Sequence, residues 1–352
     1  MIDPTEEAVK LAQEIFQLQF AADERLGREY DDRRRRRMME DIHYNLALLD
    51  TVLRHGADAL YVDYAEWIFD LLRSRMSDLP AERVLQHMVD HYGVLEQVTI
   101  QHRPPTDAPR IRHLMEKVIQ HTRSLVSEAS TTEDSPPSDE WTSVRRTYLD
   151  ALLRSDRSGA TAVIDEVVAK EASIADIYTR VFQPVMVEVG RLWHMNQITV
   201  ATEHYCTAIT QGIMTRFYSD IFSTPRRGRT LVAACVDNEL HEMGLRMLCD
   251  LVEYEGWDTV YLGAALPLES LLEAVERHRP DVMALSVTMP HHLDACRETL
   301  RALQEAAPQL QLALGGRAFQ VAPELARKWG VDYTSSGVTE FLEWIRTLES
   351  AT

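Results

Sequence analysis

Cysteine is scarce in this chain, and the four present, Cys206, Cys235, Cys249 and Cys296, show no paired metal spacing. They read as reduced, mostly buried thiols, which excludes a disulfide-stapled scaffold. No apolar run approaches membrane-spanning length, and the start MIDPTEEAVK lacks the basic segment and apolar core of a signal peptide. The reading is a cytoplasmic protein without a membrane partner. Positive charge is the minority sign: 37 Lys and Arg against 55 Asp and Glu give a net charge of −18. That balance argues against broad phosphate contact. An internal repeat and a helix-turn-helix pattern are also missing, so direct nucleic-acid binding is not expected.

What is present is enough chain for two or three domains, 352 residues, each able to bury its own core. The expected fold is multidomain, α and α/β. Residues 1–128 form an N-terminal helical domain by their apolar spacing, with Phe16, Phe20, Leu46, Leu49, Leu53, Tyr64, Trp67, Phe69, Leu72 and Leu85 among its packing candidates. Arg33 to Arg37 lie between Asp31, Asp32, Glu40 and Asp41, which suits a solvated helix face with i, i+4 ion pairs better than an anion site. Residues 129–140, rich in Thr, Ser, Pro, Asp and Glu, read as a linker. Residues 141–224 have almost no glycine, one internal proline and repeated i, i+3, i+4 apolar spacing, as in a four-helix bundle. Pro225 to Gly228 make a hinge.

Over residues 228–352, short β-branched runs alternate with amphipathic helices. Strands are expected at Thr230 to Val236, Thr259 to Leu262, Val282 to Val287, Gln311 to Leu314 and Tyr333 to Ser335. Helices are expected at Leu268 to His278, Leu293 to Ala306 and Val338 to Leu348. Strict alternation implies a Rossmann-like doubly wound parallel sheet, covered on both faces.

The residues that carry chemistry follow the first strand: Glu239-Leu240-His241-Glu242-Met243-Gly244. A histidine on that loop sits at the carboxyl edge of the sheet, where such folds bind their ligands. Glu239, two residues earlier, is placed to accept the other imidazole proton and fix the tautomer. Gly244 lets something bulky pass close to the backbone. One histidine near a strand end is more often a polar surface or capping residue than a metal ligand. Together with Ser286-Val287-Thr288 and Gly315-Gly316 at later strand ends, the set resembles the three-part signature of cobalamin-binding domains. The resemblance implies that His241 replaces the nucleotide tail below cobalt, and that Ser286, Thr288, Gly315 and Gly316 lie along the tail's channel.

Within the bundle, Trp193-His194 and Glu203-His204 are spaced as in the CarH and LitR class of light-sensing cobalamin proteins, and this resemblance spans about residues 141–350. It implies adenosylcobalamin as cofactor. Trp193 would cap the adenosyl group, Val200 would pack against its adenine side, Glu203 would bind the ribose and His204 would assist. His194 would take the upper cobalt position after photolysis, giving bis-histidine ligation with His241. Family photoreceptors that regulate genes carry a DNA-binding domain before the bundle, and a helical domain stands here instead. Residues 61–67 and 71–75 look similar to the leader domain of photocobilins, which pair cobalamin with biliverdin. A bilin would be held noncovalently at the leader, because the first cysteine is Cys206. His43, His87, His91, His102, Arg73 and Arg75 are its available partners, and an ordinary dimerisation or docking domain is the competing assignment.

The resulting expectation is a non-enzymatic photosensor, a homo-oligomer with light-dependent assembly or an unidentified protein partner. Two alternatives stay open: a corrinoid methyl carrier for a methyltransferase system, and a light-independent cobalamin or redox sensor.

Overall fold

The computed structural model describes residues 5–129, 139–334 and 337–350, in two compact units that divide after residue 133. Most of the linker expected over 129–140 therefore lies outside the described residues, as does the final residue, Ser335, of the fifth expected strand. Among the described residues, no helix is long and apolar enough to cross a membrane.

The first unit is helical, as its apolar spacing predicts. Its long helices are Glu6–Ala22, Asp32–His55, Asp58–Arg75, Ala81–His102 and Ala108–Ala129. Thr5 and Asp31 cap the first two, accepting from the amides of Ala8 and Arg34. Gly56, at φ 74°, ends the second. The core is shifted by one residue from several expected positions. Ile15, Val52, Leu71 and Val84 are buried, while their neighbours Phe16, Leu53, Leu72 and Leu85 are only partly so. Trp67, expected inside, is 43% exposed and stacks on Tyr64. An amphipathic stripe is about 100° wide, so adjacent large apolar residues compete for its centre and packing decides between them.

The arginine run pairs differently from the i, i+4 expectation. Arg34 reaches Asp78 and the carbonyl of Glu29, and Arg35 donates to the carbonyl of Tyr30 while lying over the Phe20 ring. These two arginines tie loops down and are not a free cationic face. His87, His91 and His102 are likewise engaged, with Glu29, Gln19 and Glu14.

Arg83 gathers Glu29 and Asp23 at 2.6 and 2.7 Å. Its hydrogen bonds hold Glu29 below the ordinary value of 4.5, and Arg25 followed by Arg83 does the same to Asp23, whose ordinary value is 3.8. Depressed carboxylates contribute stability that is complete above their unfolded values and is lost as pH falls through the folded ones. The wild-type chain should therefore begin to lose thermal stability below about pH 4.5 and go on losing it as the pH falls towards the lower folded values. Arg83→Met should lower Tm at neutral pH and flatten that acid limb, as thermal melts at a series of pH values would show. A parallel downward shift of the whole profile would refute the assignment.

In the second unit, the helices Thr142–Leu153, Arg157–Ala169, Gln183–His194 and Val200–Met214 make the four-helix bundle. Gln183–His194 continues a π-helical turn over Ile177–Phe182. Pro184, near its start, has no N–H to offer the carbonyl of Arg180. Arg145 donates to that carbonyl instead, at 3.3 Å.

The sheet comprises β1 (Thr230–Cys235), β2 (Asp258–Tyr261), β3 (Val282–Ser286), β4 (Gln311–Gly315) and β5 (Tyr333–Thr334), all parallel in the order β2-β1-β3-β4-β5. β3 is buried throughout its length, as expected of a strand covered on both faces. Bundle and sheet share one apolar core that includes Tyr148, Phe182, Leu231, Ala233 and Trp257. The segment read as a hinge is pinned to the sheet: Arg226 donates to the carbonyl of Trp257, and the amide of Arg227 to that of Gly256.

Candidate cofactor site at the carboxyl edge

Connections reverse direction between β1 and β3, and a doubly wound sheet opens its ligand crevice at such a point. β1 leaves the sheet through Asn238, held at φ 62°, a left-handed conformation that asparagine tolerates better than most residues. The turn delivers Glu239 into the interior, where its side chain is 0% exposed. Oε1 accepts from the amide of His241 at 3.0 Å and from its Nδ1 at 2.6 Å. Oε2 accepts from the amides of Thr288 and Met289 at 2.8 and 2.9 Å, and from His292 Nδ1 at 3.2 Å. One carboxylate thus joins the loops that follow β1 and β3. Burial alone would raise its pKa, but the hydrogen bonds from His241, His292 and the backbone outweigh burial and hold it well below the usual carboxylate range.

His241 gains from the same contact: the Glu239 hydrogen bond raises its pKa against the opposing effect of burial. With Nδ1–H committed to Glu239, the neutral ring carries its lone pair on Nε2, and 58% of the side chain is exposed. Among the described residues, no group of three or more His, Cys, Asp or Glu side chains is arranged to hold a metal ion. A single prepared imidazole suits a metal that arrives with most of its own ligands.

The glycines divide by role. A Cβ added at Gly244 or Gly315 would meet nothing within 4 Å, so both leave room. Gly316 is different: its φ is +92°, and a Cβ there would lie 2.3 Å from the carbonyl oxygen of Val287. Its missing side chain serves the close approach of two strand ends, where the sequence suggested a place in a ligand channel. Ser286 is 6% exposed at the end of β3, in register with Cys235 and Gly315. Thr288 contributes its backbone amide.

The second cluster lies at one end of the bundle. Trp193 and His194 end their helix, Asn196 turns the chain at φ 55°, and Thr199 caps the next helix by accepting from Thr202. Trp193 and Val200 are exposed at 47% and 52%. Glu203 accepts from Thr207 and pairs with the exposed His204. The Glu203 carboxylate is close enough to help raise the pKa of His241, so the two clusters share an electrostatic neighbourhood. Gln211 adds a direct link, donating to Glu242 at 3.4 Å. His194 is 8% exposed at the same end.

Two residues of the site escaped the sequence reading. His292 is the sixth residue after Ser286, and the rule that switch-point loops carry site residues could have flagged it. Leu240, beside His241, is 72% exposed, an apolar side chain at the mouth of the crevice that only the structure reveals.

Residues 229–341 match a family described as B12 binding domain, and residues 144–218 match a second B12 binding domain family. The chain is 30% identical over 208 residues to the HTH-type transcriptional repressor CarH of Myxococcus xanthus, covering 58% of this chain and 67% of that protein. It is 25% identical over 224 residues to the repressor CarA of the same organism, covering 62% and 75% respectively. Among solved structures, the monomethylamine corrinoid protein of Methanosarcina barkeri aligns with a TM-score of 0.51 at 17% identity, over 57% of this chain and 95% of that one, a likeness of fold. The bundle and sheet, with an imidazole prepared at the switch point, place this chain in the CarH-like family of B12-binding proteins.

Proposed function

We propose that this protein is a non-enzymatic light sensor that uses adenosylcobalamin. The observation that carries the reading is the buried Glu239 carboxylate, which fixes the His241 tautomer and leaves Nε2 for cobalt. When bound, adenosylcobalamin supplies a cobalt to carbon bond that green light can break. Gly244 and Gly315 would leave space for the nucleotide tail, with Ser286 and Thr288 along its channel and Gly316 holding the adjoining strand ends together. Trp193 and Val200, both exposed, would cover the adenosyl group with apolar surface. Glu203, already anchored by Thr207 and paired with His204, would accept from the ribose hydroxyls, and His204 would extend that polar edge. His194 would be a second imidazole available to hold the metal once the adenosyl group is lost. It is buried in the present arrangement, so reaching the metal requires the end of the bundle to open. Opening changes the surface offered to a second copy or a partner, and that is the proposed output.

A bilin held noncovalently by the N-terminal unit is the finer part of this reading, and residues 61–75 are its support. The methyl-carrier alternative needs no bulky upper pocket, and the exposed Trp193 and Val200 beside Glu203 favour the adenosyl form.

Absorption spectra of the full-length protein loaded with adenosylcobalamin, with and without biliverdin, before and after green light, test the reading. Wild type should shift to a bis-histidine spectrum and His194→Ala should not. A biliverdin band perturbed alongside would add the second chromophore. Identical light responses in wild type and variant would remove His194 from the switch.

A further inference from the structure

The first unit lies outside both B12-binding matches, and three of its arginines carry charge that the fold leaves unmatched. Arg34 and Arg35 of the arginine run serve the fold, but Arg33 and Arg37 lie four apart on one edge of the Asp32–His55 helix. The Asp58–Arg75 helix ends beside that edge, where Arg34 Nη2 meets the carbonyl of Arg75 at 3.4 Å. Arg37 and Arg33 are the two cations that act on the Arg75 side chain.

Among the described residues, no carboxylate forms an ion pair with Arg33, Arg37 or Arg75. Asp41 and Glu40 attract Arg75 without closing a pair. The Nε of Arg75 is shut off from solvent and has no hydrogen-bond partner, a state that costs stability and in a native protein calls for a missing ion or water. Burial, then Arg37 and Arg33, lower the pKa of Arg75 against the pull of Asp41 and Glu40. Arg33 adds a further cost, because it stands in the first turn of its helix, where the dipole disfavours a cation. Repulsion among exposed arginines is weak in water, but it grows when one member is partly withdrawn from solvent.

We propose that Arg33, Arg37 and Arg75 form a binding site for a small oxyanion, the phosphate or carboxylate group of a free small molecule. Guanidinium forks match both groups in shape and in charge. One bound anion offsets the repulsion among the three side chains and takes hydrogen bonds that the fold does not supply. The site is independent of the cobalamin reading, and it accounts for the members of the arginine run that hold no part of the fold together.

Thermal melts and calorimetric titrations of the full-length protein at matched ionic strength test the site, with sodium phosphate and sodium succinate as probes and sodium chloride as the control. Wild type should show a saturable rise in Tm with phosphate or succinate beyond that with chloride, and the tighter of the two gives the class of the anion. Arg37→Gln and Arg75→Gln should each weaken that anion by about tenfold or more, the scale of one hydrogen bond to a charged group. Arg36→Gln removes an exposed charge of the same run that lies about 100° round the helix from Arg37, and it should bind as wild type does. Without anion, Arg37→Gln should melt no lower than wild type, because the fold gives Arg37 no partner. A wild type that responds to neither probe beyond chloride would overturn the proposal. So would equal losses in Arg36→Gln and Arg37→Gln, which would mean diffuse screening, or a clear fall in the anion-free Tm of Arg37→Gln, which would make that arginine part of the fold.

Discussion

Glu239→Ala is expected to destabilise the second unit by about 3–5 kcal/mol, the range for removing one partner of a buried charged network, and to weaken cobalamin binding by about 10- to 100-fold. The size follows from what the side chain holds. Its two oxygens accept from three backbone amides, those of His241, Thr288 and Met289, and from the rings of His241 and His292. Alanine removes every one of these acceptors from a position closed to water. The loops after β1 and β3 would lose their link, and His241 would lose the partner that fixes its tautomer. Glu239→Gln keeps the shape but turns one oxygen into a donor facing donors, so it should fall between alanine and wild type. Urea unfolding followed by titration with hydroxocobalamin measures both effects. Stability within about 1 kcal/mol of wild type, below the usual cost of even one orphaned buried donor, would mean the loops are held by other contacts.

Gly316→Ala is expected to cost about as much, roughly 3–5 kcal/mol, from left-handed strain and from overpacking against backbone. The added Cβ would stand 2.3 Å from the Val287 carbonyl oxygen and 2.8 Å from its nitrogen. Those atoms belong to the strand end beside Ser286 and cannot rotate away as a side chain would. Gly315→Ala, one residue earlier, is the control: its Cβ would meet nothing within 4 Å, so stability should change by less than about 1 kcal/mol, while cobalamin binding falls if the tail passes there. Comparing the melting temperatures of the two variants separates packing from ligand space. Two alanine variants of equal stability would refute the division of roles between adjacent glycines.

Much of the architecture was legible before any coordinates. The helices Leu268–His278 and Leu293–Ala306 occur over the residues expected, and each expected strand boundary that falls within the described residues is met to within one residue. These elements alternate cleanly between β-branched runs and amphipathic periods, a local signal that survives folding because each element buries the face its pattern presents. The bundle was legible for the same reason. Glu239 and His241 were legible as a pair because only one residue, Leu240, separates them along one loop.

Three features were not. His292 joins Glu239 from 53 residues away, and such proximity is a product of strand register. Nor does sequence choose between Phe16 and Ile15, or Leu53 and Val52, for the core of the first unit: both members of each pair are apolar, and the crossing of helices decides which is enclosed. The two glycines at the end of β4 look alike in sequence, yet one leaves space and the other is required by contact.

The sequence alone determined the order and type of the elements and the presence of an imidazole with a carboxylate at a strand end, because these depend on residues near one another in the chain. Tertiary structure alone decided that the carboxylate is buried and fully hydrogen-bonded, that Gly316 is steric and Gly315 open, and that Gln211 of the bundle meets Glu242 of the loop after β1. Those properties belong to distances between segments far apart in the chain, and only packing sets them.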